Sequence, residues 1–171
     1  IDWSTGVILK TLKEEDILND TLIIFTSDNG GAPFGSNRPL RGGKGSVYEG
    51  GFRVPGLFRG PGVSGPCGKR EGMMNAMDLL PTIASLTESQ LPELKIDGLD
   101  QTAFIAGSSP SARESFYYYC SDDLCAVRKG PWKMILDTGP VKSVIAWGGP
   151  DRPHKSPPKT GLFHLGKDLI E

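Results

Sequence analysis

The feature of this sequence that most constrains its fold is an apolar segment that ends abruptly in polar residues. Residues 22–26 run without polar alternation, which predicts a strand covered on both faces, as in a parallel α/β sheet. Ser27, Asp28 and Asn29 follow at once, and glycines then recur as far as Gly51. Such a glycine content excludes a regular helix or a central strand. The sequence therefore predicts an α/β sheet in which this strand leads into a long, shaped loop.

Asp28 and Asn29 are candidate metal ligands. Ligands collect at the carboxyl ends of the strands in open α/β sheets, and these two side chains follow such an end. A carboxylate beside a carboxamide offers hard oxygen ligands, which suit calcium or magnesium rather than zinc. The tetrapeptide Ser-Asp-Asn-Gly is also a good turn sequence. Taken alone, it is more often a turn than a metal site.

Lys44 is a candidate anion-binding residue because glycines flank it on both sides. Glycine lets the backbone bring a cation close to a ligand. A P-loop is excluded, since Gly45 follows the lysine and Arg38 occupies the position of the first required glycine. Taken alone, such a lysine is more often a solvated loop residue. Together with Asp28 and Asn29, however, Lys44 indicates a site for a metal and an anionic group.

Charge and apolar content exclude several classes of partner. The chain has 171 residues and a formal net charge of −1. Without a dense basic run, a nucleic-acid or anionic-membrane partner is not expected. The apolar runs are too short to span a bilayer. Residue 1 is Ile, and the first residues already have an apolar helical face, so we expect a helix that extends to about Asp16. We therefore expect the sequence to be a piece of a longer protein, and no signal segment is visible in it.

The remaining pattern predicts a second structural class near the C-terminus. We expect a short strand over residues 52–58, interrupted at Pro55, and a helix over residues 73–86, distorted at Pro81. Short aromatic or β-branched segments separated by turns then predict an antiparallel meander. Its strands are expected at residues 115–120, 125–128, 132–136 and 162–165. We place the domain division at the polar turn near residue 107, which gives one domain over 1–107 and a smaller one over 108–171.

The three cysteines do not form a disulfide scaffold, because they are too few. Cys120 and Cys125 are close enough in sequence to bridge a local turn in an oxidising compartment, or they are free thiols. Both interpretations stay open. A zinc site is not expected, since the close ligand pairs typical of zinc are missing.

A series of motifs resembles the second half of a sulfatase of the arylsulfatase type. The motifs are FTSDNGG, PLRGGKGSVYEGGFRVPGLFRGPG, MDLLPTIASL, IDGLD and RKGPWKMIL, in this order. They extend over nearly the whole chain. The resemblance implies the end of an alkaline-phosphatase-like α/β domain, followed by a small subdomain with a four-stranded antiparallel sheet.

The resemblance also implies roles for single residues. Asp28 and Asn29 would ligate calcium rather than magnesium, and Lys44 would contact the sulfate group of a sulfate-ester small molecule or a sulfated glycan. Arg41 is equally well explained as scaffold or as a substrate contact. His154 is more often a surface-loop histidine than a substrate contact at the mouth of the cleft.

Two other groups have a structural interpretation. Glu49 and Arg53 are expected to form a buried ion pair or brace that supports the loop. His164 lies in a predicted strand and is expected to pack or to be hydrogen-bonded.

The nucleophile of a sulfatase is absent from this sequence. Sulfatases use a formylglycine made from Cys or Ser in a Cys/Ser-x-Pro-x-Arg motif, and no cysteine here has proline two positions later. Ser108 begins a near match, but its arginine comes one residue late and the segment follows the metal ligands. We therefore expect the formylglycine upstream, in the remainder of a longer sulfatase chain. The alternative is a non-catalytic remnant that binds an anion or a protein partner.

The resemblance implies a secreted, lysosomal or periplasmic protein. Asn19-Asp20-Thr21 is an N-glycosylation tripeptide in a predicted exposed turn. Such tripeptides also occur by chance, so this one is only weak support for a secretory route.

Overall fold

A computed structural model describes residues 1–32, 35–63, 68–120, 122–136 and 160–169. The chain divides into two compact units. The first unit comprises residues 1–25 and 56–113, and the second comprises residues 26–55 and 114–171. The predicted division into 1–107 and 108–171 concerns the domains of a complete sulfatase fold, and it stays a prediction.

The described residues form helices in the first two thirds of the chain and a sheet at the end. The helices are α1 (Asp2–Glu14), α2 (Glu49–Phe52), α3 (Leu79–Leu86) and α4 (Thr102–Ala106). The strands are β1 (Ile23–Thr26), β2 (Gly56–Arg59), β3 (Ser115–Cys120), β4 (Asp123–Lys129), β5 (Trp132–Ile135) and β6 (Gly161–His164). A helix, the end of an α/β sheet and an antiparallel sheet therefore occur in the predicted order.

The opening helix and the first strand lie where they were predicted. The helix α1 ends slightly before the predicted Asp16, because Asp16 has a left-handed φ of 58°, which a helix cannot continue. Strand β1 pairs with β2 in a two-stranded sheet. The strand predicted from Phe52 is wrong at its start, since Phe52 belongs to α2 and β2 begins only after Pro55. Proline has no N–H to donate to a sheet, which explains why β2 starts there.

The helix predicted over residues 73–86 is shorter than expected. A 3₁₀ turn spans Ala76–Asp78, and α3 follows it. Asn75 caps the 3₁₀ turn: its Oδ1 accepts from the Met77 amide at 2.9 Å. Pro81 is the third residue of α3, where a helical N–H has no intrahelical acceptor. The predicted distortion at Pro81 is therefore wrong, because proline is well tolerated in a first helical turn.

A buried carboxylate accepts hydrogen bonds from several segments of the first unit. Asp78 is 0% exposed, and its Oδ2 accepts from Arg113 Nε at 2.9 Å. The amides of Leu99 and Asn75 also donate to this carboxylate, at 2.9 and 3.0 Å. Burial alone would raise the pKa of Asp78, but these hydrogen bonds outweigh it and hold the pKa below its ordinary value. The carboxylate joins α3 to the segment that leads into the C-terminal sheet.

The second unit contains the predicted antiparallel meander. Its strand order is β3-β4-β5-β6, with every neighbouring pair antiparallel. Residues in one cross-strand row share a face, and the row through Tyr118, Ala126 and Ile135 is buried. A bulge between Tyr118 and Tyr119 shifts the register of β3 against β4. We call the face that carries Tyr118, Ala126 and Ile135 the inner face of the sheet.

The glycine-rich segment packs on this inner face. Val47 belongs to the same buried cluster as Tyr118, Cys125, Ala126 and Ile135. The ring of Phe52 lies edge-on to that of Tyr118, with 4.9 Å between the ring centres. The core of the second unit therefore holds the C-terminal part of the segment that carries Lys44.

Candidate functional site

Asp28 and Asn29 lie just beyond the end of β1. Asp28 is exposed, and Asn29 is half-buried. The Ser27 hydroxyl donates to the backbone carbonyl of Asn29 at 3.0 Å, and Asn29 Nδ2 donates to the carbonyl of Gly30 at 2.9 Å. These local bonds form the turn that the tetrapeptide predicted. The carboxylate of Asp28 nevertheless stays accessible, so the turn and a metal-binding role are compatible.

The backbone of Lys44 is bonded to this strand end. Its amide donates to the carbonyl of Gly31 at 3.2 Å. The Gly43 amide donates to Ser46 Oγ at 3.1 Å, and the Ser46 amide donates back to the Gly43 carbonyl at 2.9 Å. Lys44 is thus half-buried in a closed turn. Its bonding partner, Gly31, lies two positions after the predicted metal ligand Asn29.

The side chain of Asn37 links the same two segments a second time. Its Oδ1 accepts from the Gly31 amide at 2.6 Å. Its Nδ2 donates to the carbonyl of Gly31 at 3.2 Å and to that of Gly42 at 3.0 Å. We call this group of three bonds the Asn37 clamp. Sequence reasoning missed it, because an asparagine before Arg-Pro in a glycine-rich loop is simply a turn residue by its pattern.

Two glycines permit a close approach of backbone segments at the site. The Gly30 amide donates to the carbonyl of Gly51 at 2.9 Å. A Cβ atom added to Gly30 would lie 1.6 Å from the carbonyl oxygen of Gly50, and one added to Gly50 would lie 2.4 Å from the carbonyl oxygen of Arg41. No side chain fits at either position. The glycine-rich composition therefore has a steric cause here.

Arg41 has a structural contact in this loop. Its carbonyl accepts from the Gly50 amide at 2.7 Å, and its guanidinium lies 4.2 Å from the ring centre of Tyr48. A cation over an aromatic face at this distance is attracted to it. Arg41 is exposed as well, so a substrate contact stays a prediction beside the observed scaffold role.

The predicted ion pair between Glu49 and Arg53 is present, but it has the longest N–O distance in a larger cluster of charges around Glu49. Arg53 Nη1 lies 3.8 Å from Glu49 Oε2. Arg128 Nη1 and Lys133 Nζ lie closer to the carboxylate, at 3.3 and 3.1 Å. Sequence reasoning missed both of these cations. The alternation of side chains along a strand could have indicated them. Arg128 lies on the same face of β4 as the buried Ala126, and Lys133 lies on the same face of β5 as Ile135.

Of the two histidines, His164 lies among the described residues and does not join this group. His154 lies outside the described residues. His164 is half-buried in β6, edge-on to the ring of Trp132 with 4.7 Å between the ring centres. The predicted packing role of His164 is confirmed.

The donor chemistry of the strand end fits a hard cation only in part. Asp28 and Asn29 are only two residues with oxygen ligands, whereas calcium takes about six to eight oxygen ligands. Within the described ranges, no group of three or more His, Cys, Asp and Glu side chains is arranged to hold a metal. A calcium site at this strand end would need further ligands from beyond these residues. In the described part of the chain, no helix has the length and apolar character needed to cross a membrane.

Comparison with known proteins agrees with the motif series. The family model named Sulfatase matches residues 1–89. Human steryl-sulfatase is 38% identical over 199 aligned residues, which cover 100% of this chain and 34% of that protein. Human arylsulfatase A is 36% identical over 148 residues, covering 81% of this chain and 29% of that protein. The chain spans about a third of the length of these relatives.

A solved structure shares the fold. The PsFucS1 sulfatase from a Pseudoalteromonas species superposes with a TM-score of 0.75 at 31% sequence identity. The superposition covers 96% of this chain and 34% of that one. Family model, sequence relatives and fold thus agree with the alkaline-phosphatase-like architecture that the motifs implied, and this chain belongs to the sulfatase family.

Proposed function

We propose that residues 1–171 are the part of a sulfuric ester hydrolase that contributes two calcium ligands and a sulfate-binding lysine. Asp28 and Asn29 are the ligands, and Lys44 is the lysine. The observation that carries this proposal is the hydrogen bond from the Lys44 amide to the Gly31 carbonyl. It joins the backbone of Lys44 to the segment that directly follows Asp28 and Asn29, in a chain of the sulfatase family.

The residues suit sulfate-ester cleavage on physical grounds. Negative charge grows on the sulfuryl and leaving oxygens as the ester bond breaks. An ammonium group held in place can stabilise that charge, and a preorganised group does so without reorganising in the transition state. A calcium ion held in part by Asp28 and Asn29 would supply further positive charge at the site. The Ser46 turn and the Asn37 clamp restrict the backbone of Lys44, as such preorganisation requires.

The substrate class follows from the family. Two relatives are named for steryl and aryl sulfates, so we propose that this protein acts on a sulfate ester, either a small molecule or a sulfated glycan. We further propose that it works in a secreted, lysosomal or periplasmic setting. Asn19 is exposed in a turn after α1, as glycosylation requires. Mass analysis of the peptide that contains Asn19, from a eukaryotic source, tests the secretory route, and an unmodified Asn19 throughout removes that support.

The direct test uses the full-length protein. Its sequence upstream of Ile1 should contain a Cys/Ser-x-Pro-x-Arg motif, and the purified protein should release sulfate from an aryl sulfate. Substitution of the motif Cys or Ser by Ala should abolish release. A full-length chain without that motif and without sulfate release would favour the non-catalytic interpretation instead.

A further inference from the structure

Both oxygens of the Glu49 carboxylate are engaged by the C-terminal sheet. Oε1 lies 3.1 Å from Lys133 Nζ and accepts from the Tyr118 hydroxyl at 3.3 Å. Oε2 accepts from Arg128 Nη1 at 3.3 Å. Glu49 is 1% exposed and Lys133 is 0% exposed. Because so little solvent screens these charges, the bonds are stronger and more directional than those of a surface pair.

The donors are themselves fixed in place. Arg128 and Lys133 are cross-strand partners of β4 and β5, and Lys133 Nζ lies 4.5 Å from the ring centre of Tyr118. Burial first, and then the charge of Glu49, raise the pKa of the Tyr118 phenol. The phenol therefore stays protonated and keeps donating. We call Glu49, Tyr118, Arg128 and Lys133 the Glu49 cluster.

The two residues after Glu49 are bonded to the candidate site. The Gly50 amide donates to the carbonyl of Arg41 at 2.7 Å, and the Gly51 carbonyl accepts from the Gly30 amide at 2.9 Å. Gly30 directly follows Asn29. The steric fit at Gly30 and Gly50 leaves no space for α2 to shift without moving the strand end as well.

We propose that Glu49 is a positioning residue for the site. The Glu49 cluster holds α2 on the inner face of the sheet, and α2 sets the position of Asn29 relative to the loop that carries Lys44. The effect on reaction rate rests on the proposed function. The effect on loop order does not, since it follows from the contacts of α2 alone.

Two variants of the full-length protein test this role. Glu49→Gln removes the negative charge but leaves Lys133 buried, which can prevent folding. Glu49→Gln combined with Lys133→Met removes both charges at similar volume and is expected to fold. We expect the double variant to have a kcat on an aryl sulfate lower by roughly ten- to a hundredfold, because small displacements of catalytic groups have effects of this size. Backbone hydrogen exchange at Gly30 and Lys44 should be faster than in the parent.

A matched control separates positioning from stability. Asp78→Asn combined with Arg113→Met removes a buried ion pair of the first unit, whereas the glycine-rich loop belongs to the second. We expect this control to lower the melting temperature but to leave kcat and the exchange at Gly30 and Lys44 unchanged.

The outcomes distinguish this proposal from the proposed function. A folded double variant with the kcat of the parent and the same exchange at Gly30 and Lys44 overturns the positioning role. If the parent releases no sulfate, the proposed function fails, and the exchange measurement still decides the role of Glu49. Faster exchange at Gly30 and Lys44 then supports positioning, and unchanged exchange overturns it.

Discussion

The backbone amide of Lys44 donates a hydrogen bond to the carbonyl of Gly31 across 3.2 Å. Gly31 is the second residue after Asn29, so this bond joins the backbone of Lys44 to the segment that follows the predicted calcium ligands. The relationship is made by backbone atoms. Substitution of the Lys44 or Asp28 side chain leaves these two backbone atoms unchanged, so kinetics can test the chemistry of each side chain while circular dichroism checks the fold.

Lys44→Ala should lower kcat on an aryl sulfate by about a hundredfold or more, with a much smaller change in KM. One fixed charge-assisted contact to a developing oxyanion contributes roughly 3–4 kcal/mol, and an interaction made mainly in the transition state affects kcat. Lys44→Arg should rescue poorly, because a planar guanidinium does not replace a compact ammonium. Steady-state kinetics of the full-length enzyme checks this. Lys10→Ala is the control, since Lys10 is an exposed lysine of α1. Near-normal kinetics in both Lys44 variants would contradict the catalytic role.

Asp28→Ala should abolish calcium binding and activity while the metal-free fold stays intact. Asp28 is exposed, so its loss removes a charged ligand without leaving a cavity. Calorimetric titration of calcium into parent and variant measures the affinity, and circular dichroism checks the fold. Asp122→Ala, at another exposed aspartate, should bind calcium as the parent does. Equal affinities of parent and Asp28→Ala would rule out Asp28 as a ligand.

Gly30→Ala should destabilise the protein by about 3 kcal/mol or more, at the upper end of the usual range for overpacking. The added Cβ would lie 1.6 Å from a backbone oxygen, which cannot rotate away as a side chain can. Gly6→Ala is the matched control. A Cβ added at Gly6 in α1 meets nothing within 4 Å, and alanine favours a helix interior by up to about 1 kcal/mol over glycine. Urea unfolding should thus give free-energy changes of opposite sign, and a stable Gly30→Ala protein would show that α2 can move.

Cys120 should react slowly with iodoacetamide in the native protein. Burial is the main cause, followed by a hydrogen bond with Cys125, and together they raise the pKa of the Cys120 thiol to about 12. A raised pKa means less thiolate at any given pH, and the thiolate is the reactive form. The alkylation rate should therefore keep rising through pH 9–10, with the urea-unfolded protein as control.

The same experiment distinguishes thiols from a disulfide at these cysteines. Both are free thiols in the structure. A rate at Cys120 that reaches half of its maximum near pH 8.5, as for an ordinary thiol, would contradict the buried environment. In the unfolded protein, an absence of alkylation at both Cys120 and Cys125 until a reductant is added, with Cys67 alkylated throughout, would indicate a Cys120–Cys125 disulfide.

Local patterns predicted the sheet well. The strand expected over residues 115–120 has those bounds in the structure, and the β5 strand differs from its prediction by one residue. Lys129-Gly130-Pro131 is a strong turn signal between β4 and β5, so the register of that hairpin is largely a local property. The location of Asp28 and Asn29 directly after a strand was likewise predictable from the local sequence.

Contacts between distant segments were not predictable in the same way. The helix α2 contains Gly50 and Gly51, which oppose helix formation, and it exists because tertiary contacts require bare backbone there. Lys133 has its acidic partner 84 residues away, and a lysine in a strand is usually solvated. Asn37 makes its bonds six residues back and five residues ahead, a pairing that has no sequence signature.

The Asn37 clamp also determines where this loop tolerates changes of length. Because Asn37 is bonded to both the amide and the carbonyl of Gly31, the two ends of the segment between these residues are already joined. Doubling the length of such a loop costs only about 0.6 kcal/mol in closure entropy. Between Asn37 and Lys44, by contrast, an added residue would move the lysine directly. Relatives can therefore diverge in length before Asn37, and so reshape the surroundings of the site, while the spacing from Asn37 to Lys44 is kept.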